Sequence, residues 1–346
     1  MNFASDNVFA AHPAVFAALT KANYGAAKSY GADHVTDEAQ EAMRDLLQAP
    51  DAVVRFVATG TAANALVCAQ LSPPYGRIYC HDDAHIQTSE CGAPEFFTHG
   101  AKLVTLQGDG GKLHPDTLSR AIADGADEGL NGGMNAMVSI TNATEWGTVY
   151  SPDQVAALAA ISHDAGLPLH MDGARFSNAA AHLGCSPAEL TWKSGVDALC
   201  FGGTKNGAMG AEAVVFFDPA RAEGFDYRRK QAGHVFSKNR FLAAQMLALA
   251  TDGLWLDLAI RANANASVLG QAVQNGGGRL LQPVQSNGVF AAITPETDQR
   301  AKAAGAYYYP WPDPSVAGTG LVPIRLVCAW DTPDQDIAAL GSILAG

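Results

Sequence analysis

The stretch LHMDGARF (residues 169–176) sets an aspartate, a glycine and an arginine directly after an apolar run, and LCFGGTKNG (199–207) does the same with a lysine. Strand interiors reject charge, so charges at strand ends face a crevice. In an open α/β sheet, ligands collect in such a crevice outside the carboxyl ends of the strands. Working outward, short β-rich runs alternate with longer helical patterns between residues 50 and 220. VVRFVA (53–58), GRIYC (76–80), KLVTL (102–106), AMVSIT (136–141), LPLHM (167–171), ALCFGG (198–203) and EAVVFF (212–217) read as strands. TAANALVCAQL (61–71) and SPDQVAALAAISHDAG (151–166) read as helices, the second with Ser151 as N-cap, Pro152 in the first turn and Gly166 closing the end. This alternation predicts an α/β fold: a large domain with a mostly parallel sheet covered by helices on both faces.

After about residue 225 the pattern changes. A long helical stretch (239–274) leads into two strand-like runs, NGVFAAIT (287–294) and LVPIRLVCAW (321–330), and a terminal helix from residue 334. The Pro- and Gly-rich segment 307–320 reads as a loop or edge between those strands. The expected division is an N-terminal segment 1–16, a large domain 17–250 and a smaller C-terminal α+β domain 251–346.

Of the 346 residues, 48% are hydrophobic and 16% charged, an ordinary globular composition. The net charge of −12 and the lack of a basic tract argue against nucleic acid as a partner. No long uninterrupted apolar run and no apolar signal core are evident, so a cytoplasmic protein without a membrane span is expected. The six cysteines form no C-x-x-C pair, which gives no reason to expect a metal site or a disulfide framework.

Three features carry chemistry. FVATGTAANAL (56–66) runs from a strand through Gly60 and Thr61 into a helix, and a helix start with a glycine suits an anion such as a single phosphate. No G-x-G-x-x-G and no P-loop is present. Asp172 either caps the next helix or serves as a fixed anion that keeps a pyridine nitrogen protonated. Lys205 follows apolar residues and is flanked by glycines, as an amine needs if it is to be desolvated and nucleophilic. A phosphate cradle, an anion for a ring nitrogen and a reactive amine are together the parts that hold pyridoxal 5′-phosphate as a Schiff base.

With FASDN (3–7), GTAAN (60–64), HIQTSECGAPEFF (85–97), HMDGARFSNA (170–179), FGGTKNG (201–207) and IRLVCAWDT (324–332), nearly the whole chain resembles the low-specificity L-threonine aldolases. These are pyridoxal-phosphate lyases of the aspartate-aminotransferase-like fold. The Glu90 run and SITNATEWGTVYS are similar to the bacterial subgroup that accepts phenylserine. The resemblance implies retro-aldol cleavage of β-hydroxy-α-amino acids to glycine and an aldehyde. β-Elimination, transamination, racemisation or a non-catalytic role are the alternatives.

It also implies roles. Lys205 carries the cofactor, Asp172 pairs with its ring nitrogen, and Gly60, Thr61 and Thr204 hold the phosphate. His85 stacks on the ring, and either it or a water held by His85 and Glu90 is the base. Arg325 clamps the substrate carboxylate; Arg175 reaches that carboxylate and the cofactor's phenolic oxygen, with Ser5 assisting. A homo-oligomer, a dimer of dimers, is implied, in which Tyr30 crosses to a partner and Lys230 or Lys238 replaces an arginine for the neighbouring phosphate. Where many members have a histidine after the AMVSIT strand, this chain reads NATEWGT, with Glu145 and Trp146.

Overall fold

The computed structural model describes residues 1–346. Seven strands build the main sheet: β1 (Val53–Val57), β2 (Gly76–His81), β3 (Lys102–Leu106), β4 (Met134–Thr141), β5 (Leu169–Gly173), β6 (Ala198–Gly202) and β7 (Glu212–Phe216). Their order is β1-β7-β6-β5-β4-β2-β3, parallel throughout except for β7, which runs antiparallel to both neighbours. Every residue of β2, β5, β6 and β7 is buried, so none of them shows the alternation of a strand with one face in water. The expected LPLHM strand starts two residues later, at Leu169, and extends through Asp172 to Gly173, so the aspartate belongs to the strand itself.

The helix Pro152–Asp164 starts as expected: Ser151 and Gln154 form a reciprocal capping box, and Gly166 lies beyond the end at φ 72°. The single long helix expected over 239–274 is two helices, Arg240–Ala250 and Leu254–Asn275. Asp252 and Gly253 break it by adopting positive φ (52° and 75°), a conformation that stops a right-handed helix. Although Arg240–Asn275 is long and apolar enough by composition to cross a bilayer, half of its most apolar window is buried within the protein.

The second helix of this pair joins two cores. Trp255 and Leu258 pack with Phe176 and Phe201 in the main core, whereas Ala266, Leu269 and Val273 pack beneath a four-stranded antiparallel sheet. That sheet has the order β10-β11-β9-β8, from β8 (Arg279–Leu280), β9 (Gly288–Ile293), β10 (Tyr309–Pro310) and β11 (Val322–Val327). The terminal helix Asp334–Ala345 adds Leu340 and Leu344 to the same core. Phe3 is fully buried there too: its N–H donates to Tyr307 O, and its carbonyl accepts from Val327 N–H. The first residues are therefore stitched to the last strands.

Candidate active site

The carboxyl ends of β1, β5 and β6 and the start of β7 share one rim of the sheet. A cavity of about 230 Å³ opens there, lined by Gly60, Thr61, Asn64, His85, Glu90, Asp172, Thr204, Lys205 and Glu212. Gly60 begins the helix Gly60–Leu71, which Thr59 caps by accepting the Ala62 N–H. First-turn amides lack intrahelical acceptors and so are free for an anion. A Cβ added at Gly60 would meet nothing within 4 Å, so the backbone lies open to the cavity. At Gly202 a Cβ would lie 2.5 Å from the Ala174 carbonyl; only glycine lets β6 end so close to the β5 turn that Lys205 comes to the same cavity as Asp172.

One buried hydrogen-bond chain organises the polar wall. Asn64 Nδ2 donates to Glu90 Oε1 at 2.9 Å and to Asp172 Oδ2 at 2.8 Å, and His85 Nδ1 lies 2.8 Å from Glu90 Oε1. The hydrogen bond to Glu90 raises the His85 pKa, against the opposing effect of burial. Burial, reinforced by Asp172, raises Glu90 in turn. Asp172 Oδ1 accepts the Ala174 N–H within the turn, but it does not cap the helix Phe176–Leu183, the first of the two roles expected for it: that helix starts at Arg175 without a side-chain cap, and the aspartate instead lines the cavity. Burial and the Arg175 charge hold the Lys205 amine below its ordinary range. That makes it more available as a nucleophile.

Beside this cavity a smaller one is lined by Glu145, Arg175, Asn287, Phe290 and Arg325. Arg175 binds Asp6 through two hydrogen bonds, Nε to Oδ2 at 2.7 Å and Nη2 to Oδ1 at 2.9 Å. Burial alone would raise Asp6, but the Arg175 and Lys205 charges hold it below the usual carboxylate range. Arg325 lies over the Trp311 ring, 4.6 Å from its centroid, and donates one hydrogen bond to Ala4 O. Its Nε is shielded from solvent and has no acceptor. Burial and the neighbouring Arg175 push this guanidinium down to about 10. Two arginines facing one small cavity, one with an unused buried donor, suit a carboxylate.

The structure thus gathers Gly60, Thr61, His85, Glu90, Asp172, Thr204 and Lys205 around one cavity, with Arg175 and Arg325 at the next. Ser5 lines neither; its hydroxyl caps the turn Asp6–Val8 by accepting the Asn7 N–H. Tyr30 and Lys230 lie apart, in a surface cavity with Arg55 and Arg229, where the Lys230 ammonium sits 4.4 Å from the Tyr30 ring centroid. Lys238 lines a fourth depression, which shares Ala58 with the main cavity. Trp146 packs on Phe290 and Trp311 and donates to Asp83, whereas Glu145 accepts the His85 backbone N–H and the Thr141 hydroxyl, both at 2.8 Å. Sequence reasoning did not single out Asn64, Glu212, Asp6 or Asn287. The signal for Glu212 was available: a lone carboxylate heading an apolar strand, the same pattern that marked Asp172 from the other end.

A lysine and an aspartate thus meet at the carboxyl rim of a mostly parallel sheet. A family model described as Beta-eliminating lyase matches residues 2–295, and the chain belongs to that family. Within it, the chain is similar to low specificity L-threonine aldolases: the one from a Pseudomonas species (strain NCIMB 10558) is 44% identical over 98% of this chain and 96% of its own length. Among solved structures, the threonine aldolase of Leishmania major superposes with a TM-score of 0.92 at 26% identity, covering 99% of this chain and 98% of that one. The serine palmitoyltransferase of Sphingomonas wittichii, 16% identical with a TM-score of 0.70 over 100% of this chain and 86% of its own, shares the fold. The α/β fold expected from the resemblance, a large mostly parallel sheet with a small antiparallel one, is the fold found.

Proposed function

We propose that the protein is a pyridoxal-phosphate-dependent aldehyde-lyase that cleaves L-threonine, L-allo-threonine and related β-hydroxy-α-amino acids, phenylserine included, to glycine and an aldehyde. The observation that carries this reading is the meeting of Lys205, Asp172, His85 and an open helix N-terminus at one cavity, with an unpaired arginine donor at the next.

The residues fit the cofactor part by part. Lys205 would be the amine for its aldehyde carbon, Asp172 would keep its ring nitrogen protonated, and His85 would pack against its ring. The amides of Gly60 and Thr61, with Thr204, would hold its phosphate. When bound, pyridoxal phosphate supplies an electron sink that weakens whichever substrate Cα bond stands perpendicular to its ring. Arg325 and Arg175, holding the α-carboxylate, make that bond Cα–Cβ. His85, directly or through one water held with Glu90, takes the β-hydroxyl proton, which must lie within about 3 Å of its partner. Glu90 fixes the imidazole by hydrogen bonding Nδ1, leaving Nε2 for the proton transfer.

The direct test is incubation with L-threonine, L-allo-threonine and both phenylserine diastereomers, scoring glycine and aldehyde. Because the matching family model carries a β-eliminating description, ammonia and 2-oxo acid are assayed alongside; their formation without glycine replaces the aldolase reading with elimination.

The His85–Glu90 pair also sets a pH dependence. A base must be unprotonated, and Glu90 holds the His85 pKa above its ordinary value of about 6.5. Activity therefore rises as pH climbs through that raised pKa. Glu90→Gln removes the anion, and the acid limb of kcat/KM against pH is expected to move to lower pH. An unmoved limb would remove this pair from the role.

We further infer a homo-oligomer. In support, Tyr30 and Tyr227 are exposed beside Lys230, where they could complete a neighbour's site. Light scattering on the eluting protein tests it, a monomeric mass being the contrary result.

A further inference from the structure

Glu212 is the one carboxylate lining the main cavity that the reaction above leaves idle. It opens β7, in register with Val57 at the end of β1 and Gly202 at the end of β6, so it sits between the two strands that feed the phosphate-binding turns. It is buried, and each oxygen takes one hydrogen bond from the turn that carries Lys205. Gly203 N–H donates to Oε2 at 2.8 Å, and the Thr204 hydroxyl donates to Oε1 at 2.6 Å.

A hydroxyl has one proton to give. While Glu212 is ionised, the Thr204 proton is committed to Oε1, and Thr204 can show a phosphate only its lone pairs. The carboxylate also repels a second anion placed in the same low-dielectric cavity. A proton on Oε1 reverses the bond: Glu212 donates, Thr204 accepts, and the Thr204 O–H is free to turn toward the cavity.

We infer that Glu212 is a positioning residue for the cofactor phosphate, acting through Thr204, and that phosphate binding and protonation of Glu212 occur together. The inference rests on the pyridoxal phosphate reading. Burial pushes this carboxyl up to about 7, which places the exchange near neutrality. The ionisable groups facing it are Lys205, which favours its anion, Asp172 at the end of β5, which opposes it, and the Cys200 thiol of β6. β1 and its turn bring Val57, Ala58 and Thr59, none of which titrates, and the helix Arg240–Ala250 brings Met246 and Leu249 to Gly203. Since the bound state takes up the proton, affinity is full at low pH and falls as pH rises above that of the free site, by up to about tenfold per unit for one proton.

The test measures dissociation constants of the full chain for pyridoxal phosphate and for pyridoxal by equilibrium dialysis, between about pH 6 and about pH 8.5. Glu212→Gln fixes the neutral pattern, its amide donating to Thr204 and its carbonyl accepting from Gly203. Between about pH 7 and about pH 8, wild-type protein is expected to lose several-fold more affinity for pyridoxal phosphate than Glu212→Gln, and the two should show the same slope for pyridoxal. Thr204→Val, which removes the hydroxyl and leaves Glu212 and its repulsion, should lose the part of the phosphate-specific steepening that runs through the hydroxyl, so its slope lies between those of wild type and Glu212→Gln. An unchanged slope removes Thr204 from the role, and this serves as the second variant should Glu212→Gln fail to fold. Equal slopes in wild type and Glu212→Gln, or a difference that persists with pyridoxal, overturn the inference while leaving the cofactor reading intact. If no variant takes up pyridoxal phosphate at any pH, both fall.

Discussion

Lys205→Ala is expected to remain folded, to keep measurable affinity for pyridoxal phosphate through Asp172 and the Gly60 helix start, and to lose aldolase turnover by a factor on the order of 10⁴ or more. Its side chain is the only lysine lining the cavity. In the proposed reaction the amine would do two jobs that no neighbour can take over: hold the cofactor's aldehyde carbon, and displace the product from that carbon at the end. Asn64, Thr204 and the backbone amides offer no amine that could form an imine, and the Arg175 guanidinium stays charged beside Asp6. Borohydride reduction followed by peptide mapping checks the attachment directly. Wild-type protein should yield a modified peptide containing Lys205, and Lys205→Ala none. Activity within tenfold of wild type, or an adduct at another lysine, would overturn the assignment.

Arg325→Ala is the second large effect. Its Nε is a buried donor waiting for an acceptor, so the cost is that of removing one member of a desolvated charge pair, about 2–5 kcal/mol in kcat/KM. This corresponds to a loss of roughly 30-fold to several thousand-fold. Arg325→Lys keeps the charge but not the two-pronged geometry and should recover only part of it. Because Arg325 also stacks on Trp311 and holds the Ala4 carbonyl, a purely structural role must be separated. The discriminating readout is glycine affinity. It should fall steeply in Arg325→Ala while pyridoxal phosphate affinity holds, whereas a collapsed domain would lower both.

What the sequence revealed was local. Strand runs, the DGAR and TK motifs and the Ser151 cap are each readable within about ten residues, because burial of a parallel strand and capping of a helix impose their pattern on adjacent positions. The wiring of the site was not readable. Asn64 meets Asp172 across 108 positions, Arg175 meets Asp6 across 169, and Asn287 meets Asp6 across 281. No periodicity encodes such pairs. The pairing of Lys230 with Tyr30, in a cavity apart from the one that holds Lys205, spans 200 positions and carries no local pattern either. The helix break at Asp252–Gly253 was legible in the TDG tripeptide and was hidden by the apolar pattern running through it.

The seam that Phe3 and Asp6 make with residues 287–328 bears on biosynthesis. Asp6 is translated 281 residues ahead of Asn287, one of the partners that hold it against Arg175. Until then Arg175 lacks its tethered anion, and Phe3 has no core to enter. The nascent chain can assemble its main sheet during translation, but competence must await release of the final strands.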